Sequence, residues 1–69
     1  MQRYYVVCSY MVQNYETKHN EYRFESEILN GNPEDMENTI ASWNTYFKDK
    51  IEDDIGDIEY LTIVNWKIV

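Results

Sequence analysis

Residues 3–12 read RYYVVCSYMV, an apolar run with two apolar faces. In a strand, successive side chains point to opposite sides of the sheet. Tyr4, Val6, Cys8, Tyr10 and Val12 therefore point one way, and Tyr5, Val7 and Met11 the other. A strand of this kind needs cover on both sides, which places it in the centre of a sheet.

Little chain is available to supply that cover. Sixty-nine residues form a single domain, 1–69, and a domain of this size buries only about 60% of the surface its unfolded chain exposes. Small domains commonly add a staple. Cys8 is the only cysteine, so no internal disulfide forms, and His19 is the only histidine, so no Cys/His zinc set exists. Association with a second chain is the remaining staple, and a homodimer is expected.

The rest of the chain divides cleanly. The first strand is expected over Gln2–Asn14, followed by the polar loop YETKHN. The second, Glu21–Leu29, alternates: Tyr22, Phe24, Ser26 and Ile28 on one side, Glu21, Arg23, Glu25 and Glu27 on the other. Asn30-Gly31 reads as a turn, Asn32 as a helix N-cap and Pro33 as the first helical residue. Met36, Ile40, Trp43, Phe47 and Ile51 form one helical face, and Gly56 suits the residue after the helix. The third strand, about Ile58–Ile68, places Ile58, Tyr60, Val64, Trp66 and Ile68 on one face and Leu61 and Ile63 on the other.

The order β-β-α-β, with the most apolar strand central and the most charged at an edge, predicts an α+β two-layer sandwich. Its three-stranded antiparallel sheet has the order 2-1-3, with one long helix on one face. The even-numbered residues of all three strands are expected to meet the helix. Tyr5, Val7, Met11, Leu61 and Ile63 are then left on the open face as a self-association surface.

A second surface is acidic. The net charge is −7. Asp49, Glu52, Asp53, Asp54, Asp57 and Glu59 cluster around the end of the helix, with Lys50 the only basic residue among them. Acids at a helix C-terminus oppose its dipole. Either the helix stops near Ile51 and they sit in a solvated loop, or they form a partner-binding patch. With few and scattered basic residues, direct nucleic-acid binding is not expected; a protein with a basic surface is the complementary partner.

Chemistry is sparse. Cys8 lies mid-strand without an activator, His19 lies in a loop, and no Gly-rich phosphate loop or nucleophile–base pair can be placed. The acidic EDDIGDIE lacks the spacing of an EF-hand loop. No enzyme activity, metal or cofactor is expected. The N-terminus has no signal-peptide pattern and no run is long enough to span a membrane, so a cytoplasmic location is expected. Tyrosine outnumbers phenylalanine seven to two, which suits binding surfaces that are partly wet.

The acidic KDKIEDDIGDIE and the compact YYVVCSYMV…EYRFESEIL hairpin together resemble, in type, the small inhibitors encoded by bacteriophages, of the anti-CRISPR and anti-restriction kind. The resemblance covers the whole chain loosely and carries no family residue. It implies an acidic surface that occupies the nucleic-acid-binding groove of a host defence protein such as a CRISPR-Cas effector, in the host bacterial cytoplasm. Two other readings stand beside it: a homo-oligomeric assembly protein acting through the apolar sheet face, and a small-ligand sponge lined by aromatic residues.

Overall fold

The computed structural model describes residues 1–14 and 16–69; Tyr15, assigned above to the hairpin loop, lies outside the described residues. Strand β1 spans Gln2–Asn14, β2 His19–Gly31 and β3 Glu59–Ile68, with helix α1 over Met36–Ile55 between the last two strands. All neighbours are antiparallel, and the sheet order is β2-β1-β3. This is the α+β architecture expected, with the doubly apolar strand in the centre. The molecule is a slat of 44 × 18 × 17 Å. Its length follows from the strands: thirteen residues at about 3.3 Å each reach about 43 Å.

The helix starts later than its sequence signals suggest. Asn32 is not the N-cap. Its carbonyl accepts from Asp35 N and its side chain from Glu34 N, so residues 32–35 form a turn ahead of the helix. Asp35 caps instead, its carboxylate accepting from Asn38 N at 3.4 Å. Gly31 does not turn the chain; it is the last residue of β2, paired with Gln2. The helix passes so close there that a side chain has no room. A Cβ on Gly31 would lie 2.7 Å from Thr39 Cγ2 and 2.9 Å from both Trp43 Cζ2 and Tyr4 Cε2. Two bonds fix the crossing. Trp43 Nε1 donates to the Asn30 carbonyl at 2.9 Å, and Thr39 Oγ1 accepts from Asn32 N at 3.0 Å. At the other end Gly56, with φ at +89°, donates its N–H to the Glu52 carbonyl.

The core lies between β1 and the helix. Tyr4, Val6, Cys8 and Tyr10 meet Trp43, Phe47 and Ile51, with Ile58 closing one end. Trp43 is the hub of the aromatic packing, edge-on to Tyr4 at 5.3 Å and tilted against Trp66 at 6.2 Å between ring centroids. Burying each such apolar side chain contributes about 1.5–3 kcal/mol before entropy is counted.

Strand β2 does not follow the even-numbered rule, and β3 follows it only in part: Trp66 and Ile68 pair with Val6 and Tyr4 on the helix side as expected. In the β1–β2 hairpin Tyr4 pairs with Leu29, Val6 with Glu27, Cys8 with Glu25 and Tyr10 with Arg23. Directly paired residues share a face. The charged row of β2 therefore stands on the helix side, and Tyr22, Phe24, Ser26 and Ile28 stand on the open side. In β3 two register shifts intervene. Val7 pairs with Asn65 but Cys8 with Ile63, leaving Val64 as an extra residue; between Ser9 and Met11 a second extra residue falls near Tyr60, whose φ is +55°. One inserted residue turns every side chain beyond it to the opposite face. Leu61 and Ile63 are turned in this way onto the helix side, where both pack against the core. They therefore leave the self-association set.

Candidate functional site

The register and the bulges produce two faces of opposite character. On the open side of the sheet, Tyr5 pairs with Ile28, Val7 with Ser26, Ser9 with Phe24 and Met11 with Tyr22. These rows make an apolar stripe two strands wide. Tyr22 is 71% exposed and Phe24 69%, values far outside those of core aromatics. Ile28 and Tyr5 are less exposed, Val7 is half-buried, and Met11 is buried outside the main core. Of the five expected self-association residues, Tyr5, Val7 and Met11 stand on this face. The stripe extends onto β2 rather than β3.

That extension follows from the hairpin itself. The four residues 15–18 join the paired ends Asn14 and His19. An even number of loop residues always pairs even positions of one strand with odd positions of the next. The six-residue loop expected from sequence has the same parity, so the signal was available. Matching apolar face to apolar face gave the wrong side because register, not hydrophobicity alone, decides it.

The acidic residues lie elsewhere. Of thirteen acids, only Glu59 stands on the open face, as the register partner of Met11, and Glu16 lies in the hairpin loop; the rest belong to the helix-side row of β2, to α1 or to the segments flanking α1. The helix runs to Ile55, past the stop near Ile51 that would have left the acids in a loop. Glu52, Asp53 and Asp54 thus sit in its final turn, where no basic residue stands. Each acid close to the negative end of the dipole costs about 0.3–1 kcal/mol.

The six expected partner-binding acids separate into three groups. Asp49, Asp53, Asp54 and Asp57 are exposed around the helix end. Asp49 and Asp53, one helical turn apart, flank a shallow pocket with Tyr46 and Lys50. Glu52 is half-buried, and its carboxylate accepts from Ile58 N at 3.3 Å, closing the turn into β3. Glu59 is on the opposite face.

Lys50 does not neutralise the cluster. Its ammonium donates to Glu27 of β2 at 2.8 Å, and the same Glu27 oxygen accepts from the Tyr46 hydroxyl at 2.7 Å. The hydrogen bond from Lys50, and then that from Tyr46, lowers the Glu27 pKa below the ordinary value. The shared bond to Glu27 raises both the Lys50 and Tyr46 values. Lys50 thus reaches across to the sheet and leaves Asp49 and Asp53 open.

The remaining chemistry is modest. Cys8 is fully buried, and burial pushes its thiol up to about 11, so it stays protonated and unreactive near neutral pH. Among the described residues, no three His, Cys, Asp or Glu side chains converge to hold a metal ion. An open groove of about 470 Å³ runs between α1 and β3, lined by residues that include Asn44, Lys48 and Tyr60. Among the described residues, no helix is long and apolar enough to cross a membrane. No known protein family, curated protein or solved structure matches the chain.

Proposed function

We propose that the protein is a small non-catalytic inhibitor of the bacteriophage type. Its acidic helix-side face occupies a basic, nucleic-acid-binding surface of a host defence protein, such as a CRISPR-Cas effector, in the bacterial cytoplasm. The observation that carries this reading is the acidic final turn of α1. Glu52, Asp53 and Asp54 stand against the helix dipole with no basic residue in that turn, and the nearby Lys50 is drawn away to Glu27. Stability alone favours the opposite charge at that position. Local rules are broken most readily where a surface is used. An array of exposed carboxylates on a rigid helix offers a basic groove the charge pattern of a phosphate backbone.

The apolar stripe of Tyr22, Phe24 and Ile28 favours a second reading, a homo-oligomeric assembly protein in which the acids serve solubility. One experiment separates the two. Tagged protein is used to capture partners from bacterial lysate at low salt, beside the variant Asp53→Asn, Asp54→Asn, Asp57→Asn. The inhibitor reading expects basic nucleic-acid-binding proteins to be retained at about 50 mM salt and released by about 500 mM, where the Debye length has shrunk to a few ångströms. The triple variant should retain at most a tenth as much. Equal retention by the variant, or retention insensitive to salt, would overturn the inhibitor reading and favour the assembly reading.

A further inference from the structure

We propose that the open sheet face binds a second copy of this chain, face to face, about a two-fold axis that crosses the strands at the level of Cys8. The face is self-complementary about that axis. A two-fold running across the strands reverses strand direction but keeps each strand over its own counterpart. The row of Tyr5 then meets the row of Met11, and the row of Val7 meets that of Ser9. On β2, Phe24 falls over Ser26 and Tyr22 over Ile28, so a large side chain faces a smaller one in each case. On β3, Thr62 falls over Asn65, two side chains able to hydrogen-bond.

Charge points to the same arrangement. Lys67 is the partner of Tyr5, and Glu59 is the partner of Met11. Both lie on β3, at equal distances along the sheet from Cys8. The two-fold across the strands sets Lys67 of each copy opposite Glu59 of the other. A two-fold along the strands would instead lay the polar β3 of one copy over the apolar β2 of the other.

The size of the face and the spread of the acids also suit a second copy. Three strands about 4.8 Å apart and ten residues long present about 500 Å² in projection. Two copies bury about 1,000 Å² in total, which meets the threshold for a specific interface. The acidic faces point outward on both sides. Sheet-to-sheet and helix-to-sheet spacings of about 10 Å each keep them about 30 Å apart, well beyond a Debye length of about 8–10 Å. The net charge of −7 therefore does not oppose pairing. The pair would carry two acidic surfaces back to back.

Sedimentation velocity at micromolar concentrations tests this without reference to any target. Wild-type protein is expected to sediment as a dimer. Phe24→Glu should raise the dissociation constant at least about a hundredfold, because it sets a charge inside an apolar contact twice. Its circular dichroism should be unchanged, since Phe24 is not a core residue. Glu59→Lys alone and Lys67→Glu alone should each weaken the dimer about tenfold, two symmetric pairs turning repulsive; the double swap should restore it. A monomeric wild type overturns the proposal. So does a dimer indifferent to Phe24→Glu, which would be pairing edge to edge through β2, and so does a double swap that fails to rescue. Asp53→Asn with Asp54→Asn should leave the dimer intact, so failure of the inhibitor reading and failure of this one are distinguishable.

Discussion

Phe47→Ala is expected to leave the chain largely unfolded at room temperature, whereas Phe24→Ala should leave the dilute monomer's stability within about 0.5 kcal/mol of wild type. Phe47 is fully buried beneath β1, among Val6, Cys8 and Trp43. Deleting a buried phenylalanine ring costs about 3–5 kcal/mol, the lost transfer energy plus the cavity. A domain of 69 residues has about 3–10 kcal/mol in total at typical values per residue. The loss is therefore most or all of the stability. Phe24 is the same residue type, and its strand alternation alone would place it in the same core. It stands 69% exposed on the other side of the sheet. Urea titrations followed by circular dichroism compare the two directly. Equal losses would mean that β2 presents its other face to the helix.

Gly31→Ala is expected to destabilise by about 1–3 kcal/mol, as overpacking of a close contact does. The new methyl group would meet Thr39, Trp43 and Tyr4, each nearer than 3.0 Å. Relief requires movement of the Tyr4–Trp43 pair, and that movement strains the bond from Trp43 Nε1 to the Asn30 carbonyl. The emission of Trp43 should therefore change in the folded state. Gly56→Ala is the control. Nothing lies within 4 Å of its Cβ position, and its cost is only that of a left-handed backbone at φ +89°. The thermal midpoint of Gly56→Ala should fall with the folded tryptophan spectrum unchanged. If Gly31→Ala also keeps its spectrum and its midpoint, the helix does not cross the end of β2 as closely as described.

The legible part of this fold is the part set by local pattern. Five residues spaced at helical intervals identify the core face of α1, and the doubly apolar β1 identifies the central strand. The burial of Thr39 is not legible in the helical spacing, because it depends on the crossing at Gly31, a tertiary contact. The face of β2 depends on the parity of the hairpin loop. The faces of β3 depend on two bulges, one of them at Val64, which lies in an unbroken run of strand-forming residues. The acidic residues are plain in the sequence, but their division is not. Glu52 turns inward because the path into β3 offers it the Ile58 N–H. Glu59, by contrast, keeps the open side that strand alternation predicts, because the two bulges of β3 cancel before it pairs with Met11.

Two-sidedness rests above all on the register of the β1–β2 hairpin, and side-chain nuclear Overhauser effects read that register directly. The Phe47 ring protons should show contacts to Val6 and Cys8 and none to Phe24 or Tyr22, while the Phe24 ring should contact Ser9. Contacts between the Phe47 and Phe24 rings would contradict this register, and with it both the apolar open face and the acidic helix side.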